Sequence, residues 1–143
     1  IGIFGGYIGN SQLKTAMTLR SPIINIRDIK KGEKVGYDGR AIASKDMKIA
    51  TVYMGYADGL PNNINDGTIV KINNQDAKVF GKVSMDVTTV DVTNIENCKI
   101  EDWCVFFSPK HSINNLASSN KLISYDLMIR IKSRVKRSYK NLV

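Results

Sequence analysis

The sequence predicts a mainly β fold, a β-barrel-like domain or sandwich with one or two short helices near its C-terminus. Three observations predict it. Seven or eight short runs rich in β-branched and aromatic residues are separated by turn signals about every 8–12 residues. Helical spacing of apolar residues occurs only near the end of the chain. And 43% of the 143 residues are apolar, enough for one domain to bury a core without disulfides.

The elements follow in order. Residues 1–10 read as a short apolar strand ending in glycines and Asn10. Residues 15–27 have strand composition, with Pro22 at a bend or bulge because proline cannot donate to a ladder. Residues 30–33 form a turn around Gly32, and residues 35–39 form a strand end running into a glycine turn. Residues 48–55 are rich in β-branched and aromatic residues and read as a strand. Residues 56–63 are a loop by composition. Residues 68–72 and 77–80, separated by Asn73-Asn74, read as a hairpin. Residues 87–92 and 103–107 are further strands. Ser112 is placed to cap a helix over residues 113–119, and residues 125–131 have the spacing of a second short helix. Residues 130–137 alternate basic and apolar positions, the pattern of a strand with one wet face.

Lysine and arginine total 21 against 13 acidic residues, a net charge of +8. Such a surplus fits a solvated basic surface, and it also fits a barrel that binds nucleic acid. Single-strand binders usually interleave aromatic and basic residues on one face; here the tyrosines cluster at glycine turns. No apolar run approaches the ~20 residues of a membrane span, and no leader is visible. Cys98 and Cys104 match no metal or redox spacing and suit a reducing compartment, so a cytoplasmic location is expected. The chain begins at Ile1 rather than Met, so a longer parent protein is expected.

Few residues offer chemistry. The single histidine, His111, reads as a surface residue. There is no phosphate-binding glycine motif and no carboxylate cluster for a metal; Asp58, Asp86 and Asp91 are the carboxylates best placed by glycines or strands. Tyr37 in Gly-Tyr-Asp-Gly and Tyr56 in Gly-Tyr-Ala-Asp-Gly stand at strand-to-loop junctions. There a rigid element can present a side chain to a neighbour, or the ring can pack at a barrel end with its hydroxyl bonded.

The order of segments adds a resemblance. Gly-Glu-Lys-Val-Gly-Tyr at 32–37, Ile-Ala-Thr-Val-Tyr-Met-Gly-Tyr-Ala-Asp-Gly at 49–59, Gly-Lys-Val-Ser-Met-Asp at 81–86 and Ile-Ser-Tyr-Asp at 123–126 together resemble the C-terminal part of the alanine racemase family. The opening Ile-Gly-Ile-Phe-Gly resembles the family's Arg-x-Gly-Ile segment. The resemblance implies that residues 1–10 are the last strand of an N-terminal α/β barrel and residues 11–143 the β-rich C-terminal domain. It implies a homodimer in which this domain completes the partner's active site. The substrate would be alanine, the cofactor pyridoxal 5'-phosphate, and the product D-alanine for peptidoglycan.

Racemisation removes the Cα proton on one face and returns one on the other, which two acid/base groups accomplish most directly. The resemblance assigns one to a lysine of the barrel, which also carries the cofactor, and the other to Tyr37. It implies that the Met85 backbone N–H meets the substrate carboxylate and that Tyr56 lines the entrance. Tyr125 would reach the cofactor phosphate with its hydroxyl, and the Gly2 and Ile3 amides would hold the same phosphate. The isolated fragment would be inactive. Lys82 stands where the family often has arginine, Asn62 lies near a usual basic position, Asp38 interrupts the usual Tyr-Gly pair, and Arg134-Val-Lys-Arg137 stands for the common Arg-Val-Pro-Arg ending. These departures bear on the entrance and on substrate choice, and a racemase of another amino acid such as serine stays open beside the alanine and nucleic-acid readings.

Overall fold

The computed structural model describes residues 16–39 and 41–139. The chain folds into β1 (Leu19–Ile29), β2 (Lys34–Val35), β3 (Ala41–Ile42), β4 (Met47–Val52), β5 (Ile69–Ile72), β6 (Gln75–Val79), β7 (Thr88–Asp91) and β8 (Trp103–Phe107), followed by helices α1 (Ile113–Ser119) and α2 (Ser124–Ile129). Single helical turns of the tighter 3-10 type span Tyr37–Gly39 and Tyr56–Asp58. Six strands close a barrel in the order β1-β4-β7-β6-β5-β8, all neighbours antiparallel, while β2 and β3 pair separately. Closure decides between the two β architectures that the sequence left open.

The long β1 makes closure possible. Its first half pairs with β8 and its second half with β4, and the register with β4 shifts between Ile23 and Asn25. That irregularity follows directly on Pro22, as the missing N–H predicts; a bulge bends and twists the strand so that it serves two neighbours. In the β5–β6 hairpin, Asn73 (φ 51°) and Asn74 (φ 61°) take up the positive φ of a two-residue turn, a conformation that asparagine tolerates better than most residues. Alternation then sends Ile23, Val52, Val70, Val79, Val90 and Phe106 into the barrel, each at most 1% exposed. A smaller cluster of Ile29, Val35, Ala41, Ala43, Met47 and Ile49 fastens the β2–β3 pair to the barrel.

The helices close one flank. Ser112 Oγ accepts the Asn114 N–H at 3.1 Å, the expected N-cap of α1, and Ile113, Leu116, Ala117 and Leu127 are buried. No helix of the described residues is long and apolar enough to cross a membrane.

Several expectations are corrected. Residues 130–137 are not a strand. Lys132 N–H donates to Asp58 O at 3.0 Å and Val135 N–H to Lys132 O at 3.2 Å, and Ile131 is buried. The alternation therefore reflects a helix end and a turn that lay Ile131 and the partly buried Val135 onto the core. His111 is buried at 8% exposure; its Nε2 lies 3.2 Å from Ile69 O. Since a carbonyl only accepts, Nε2 carries the proton there. The short β3 was not expected, and α2 begins one residue before, and ends two before, the expected span. The strand expected over residues 1–10 lies outside the described residues.

Candidate functional site

Strand pairing brings the loops of interest together. Val52 pairs with Thr88 in the β4–β7 ladder, and Thr88 Oγ donates to Met54 O at 2.6 Å. An antiparallel pair sets the end of one strand beside the start of the other. Residues 53–59, leaving β4, therefore run alongside residues 81–87, which enter β7.

The two segments are clasped by backbone. Tyr56 N–H donates to Ser84 O at 3.0 Å and Ala57 N–H to Met85 O at 2.9 Å. Contact is so close that a Cβ on Gly55 would stand 2.3 Å from Met85 O; only glycine fits. The segment after α2 covers the other side. A Cβ on Gly59 would stand 2.0 Å from Arg130 O, and Gly59 also has φ +110°, a region that side chains disfavour.

This clasp orients a donor. The Ser84 carbonyl points toward Tyr56, and no peptide bond among the described residues is cis. In a trans peptide the N–H points opposite to the C=O. The Met85 N–H therefore points away from the clasp, and it makes no hydrogen bond to another described residue. Met85 is 46% exposed and Tyr56 41% exposed.

Tyr37 is tied to the same segment. Gly36 sits with its Cβ position 4.0 Å from Lys82 N and O, and Gly81 packs against Ala41 and Val35. The Gly81 N–H is held by Asp66 Oδ1 at 2.7 Å. Lys82 and Met85 are three residues apart, about 10 Å of extended chain at most. Residues 81–86 thus set the spacing between the Tyr37 turn and the Tyr56 turn. Tyr37 is 54% exposed, and neither tyrosine hydroxyl bonds to another described residue. The packed alternative, with both hydroxyls bonded at barrel ends, is not what the geometry shows.

Tyr125 lies in the first turn of α2, 44% exposed. Five residues of helix, about 7.5 Å, separate it from Arg130, whose carbonyl abuts Gly59. Its hydroxyl, too, bonds to no other described residue. Gly2 and Ile3 lie outside the described residues. Tyr37, Met85, Tyr56 and Tyr125 are all exposed. Among the described residues no cluster of His, Cys, Asp or Glu could hold a metal.

A cleft of about 490 Å³ opens beside the site, with Lys82, Asn62, Asp66 and Ala41 in its walls. Lys82 and Asn62, both positions that depart from the family pattern, therefore share one cleft.

One residue that the sequence reading left unassigned is central. Arg134 Nε lies 2.9 Å from Asp58 Oδ1 and Arg134 Nη2 lies 2.7 Å from Asp86 Oδ1. Asp58 Oδ2 accepts the Gly55 N–H at 2.9 Å. The Asp86 hydrogen bond, then the Asp58 charge, hold the Arg134 guanidinium even more firmly protonated than usual. Asp58 and Asp86 stood out by their neighbours in sequence, but nothing there joined them to an arginine far along the chain. The cysteines take no part: Cys104 is buried in the barrel, and burial pushes its thiol well above the usual range.

A family model described as alanine racemase, C-terminal domain, matches residues 16–139. The chain is 40% identical over 147 aligned residues to an alanine racemase of Alteromonas mediterranea, covering 99% of this chain and 41% of that protein. It is 37% identical to a catabolic alanine racemase of Schizosaccharomyces pombe, over 89% of this chain and 34% of that one. The crystal structure of biosynthetic alanine racemase from Pseudomonas aeruginosa is similar with a TM-score of 0.87 at 33% identity, covering 90% of this chain and 36% of that chain. The alanine racemase of Bartonella henselae, solved with covalently bound pyridoxal phosphate, has a TM-score of 0.87 at 25% identity, over 92% and 37% of the two chains. The chain spans less than half the length of the relatives it matches.

Proposed function

The chain belongs to the alanine racemase family, matching its C-terminal domain, and from that membership we propose that it lends Tyr37 across a homodimer interface to a site that interconverts L- and D-alanine. In this reading residues 1–10 are the last strand of an N-terminal α/β barrel, and the rest of that barrel, with the cofactor lysine, lies outside this chain. The single observation that carries the reading is the convergence of an exposed Tyr37, an outward Met85 N–H and an exposed Tyr56 on residues 81–86.

Each residue has a task. The Met85 N–H donates to the alanine carboxylate and so fixes which faces of Cα look toward the two acid/base groups. Tyr37 Oη holds or takes the proton on one face; the barrel lysine serves the other. Tyr37 gives a proton as the phenol and takes one as the phenolate, the form that nearby positive charge favours. Tyr56 lines the way in and, with Lys82 and Asn62 in the neighbouring cleft, filters what enters. The Tyr125 hydroxyl would hold the cofactor phosphate, a role that the family resemblance also gives to the Gly2 and Ile3 amides. Pyridoxal 5'-phosphate, when bound, supplies the electron sink that makes the Cα proton removable. The D-alanine formed serves peptidoglycan synthesis.

The test is Tyr37→Phe in the full-length racemase that this reading requires. Phenylalanine keeps the ring and loses the proton. Exchange of the Cα proton of L-alanine with solvent deuterium should fall about 10²–10⁴-fold, while D-alanine still exchanges through the lysine. Near-normal exchange from both enantiomers would contradict the assignment.

A further inference from the structure

The clasp between residues 55–59 and 84–86 needs something to hold it. Its backbone bonds are two, at Tyr56 and Ala57, and its outer face is exposed at Tyr56 and Met85. Arg134 spans it from the third segment. Its planar fork engages two different carboxylates, Nε on Asp58 and Nη2 on Asp86. Asp58 is the inner anchor: its side chain is only 13% exposed, and its second oxygen holds the Gly55 N–H that starts the turn. Asp86 directly follows Met85. Arg134 itself is located by the Lys132 N–H on Asp58 O at 3.0 Å and by Arg130 packed on Gly59.

We propose that Arg134 is the positioning residue of the site: by bridging Asp58 to Asp86 it locks the two loops together and so aims the Met85 N–H and places Tyr56. The functional half of this statement rests on the racemase reading above; the structural half does not. Arg134 touches neither substrate nor cofactor. Exposed ion pairs contribute little to global stability, and Arg134 is 45% exposed, so its effect is geometric. Lysine cannot substitute fully, because one ammonium lacks the fork that reaches two carboxylates at fixed angles.

Two readouts separate the halves. The first is native-state amide exchange in this chain, comparing Arg134→Gln and Arg134→Lys with the unaltered protein. The Tyr56 and Ala57 amides should exchange at least about tenfold faster in Arg134→Gln, with the barrel amides of Val79 and Val90 unchanged and the melting temperature within a few degrees. Arg134→Lys should recover less than half of the protection. If Arg134→Gln lowers the stability of the whole chain, Asp86→Asn, which cuts one arm only, should still loosen Tyr56 and Ala57 selectively. Unchanged exchange at these two amides, or full recovery by lysine, would overturn the bridge. The second readout is alanine kinetics in the full-length racemase. Arg134→Gln should raise KM about tenfold and leave kcat within threefold, the signature of a carboxylate contact weakened equally in ground and transition state. A fall in kcat at constant KM would overturn the positioning role. Loosened amides in a protein that turns over no alanine would support the bridge and reject the racemase reading.

Discussion

Gly55 has extended backbone at φ −139°, so its requirement is spatial and not conformational. A methyl group there meets the Met85 carbonyl at 2.3 Å, backbone against backbone, with no flexible side chain to give way. Gly55→Ala should therefore destabilise by about 1–3 kcal/mol, read from the urea midpoint at unchanged slope. The displacement should pass to Met85 and Tyr56 as well. A stability within error of the unaltered protein would mean that the clasp is looser than the geometry shows. At this scale the sequence disclosed what local chemistry marks. Tyr37 and Tyr56 are flanked by glycines, and a glycine beside an aromatic at a strand end announces a close approach. Arg134 carried no such mark. Its partners are 48 and 76 positions away in sequence, and only the folded chain brings them within hydrogen-bond distance.

Elements whose cause is local were legible. The hairpin at residues 69–79 follows from Asn73-Asn74, and α1 begins where Ser112 can accept an orphan N–H. Ser112→Ala removes that acceptor from the Asn114 N–H and should cost about 1 kcal/mol, measured by thermal or urea unfolding; no change would mean that water replaces the cap without loss. Elements whose cause is distant were not legible. Barrel and sandwich share the same alternating strands, and the difference lies in β1 reaching both β4 and β8. Residues 130–137 show the opposite error. Two apolar residues four apart, Ile131 and Val135, fit a strand face as well as they fit a turn draped over a core. The Lys132 N–H on Asp58 O, rather than a neighbouring ladder, decided between them. The short β3 has only two residues, too few for any periodicity to reveal.

On the scale of the whole molecule, the barrel works as a mount. Its β4–β7 pairing holds the clasp, its second apolar cluster holds the β2–β3 pair that ends in Tyr37, and α2 brings Tyr125 and the Arg134 segment around the same edge. All these side chains face outward, which suits a surface that completes a site belonging to another body. That is the central claim, and mixed dimers test it most directly. One full-length subunit carries Tyr37→Phe; the other keeps Tyr37 and lacks the cofactor lysine. Each is inactive alone. If Tyr37 serves the neighbouring subunit, the mixed dimer has one intact site, built from the lysine of one subunit and the tyrosine of the other. Random reassortment makes about half the dimers mixed, each with one of two sites intact, so about a quarter of normal racemase activity should return on mixing. If Tyr37 serves its own subunit, every site lacks one group and no activity returns; that result would contradict the account.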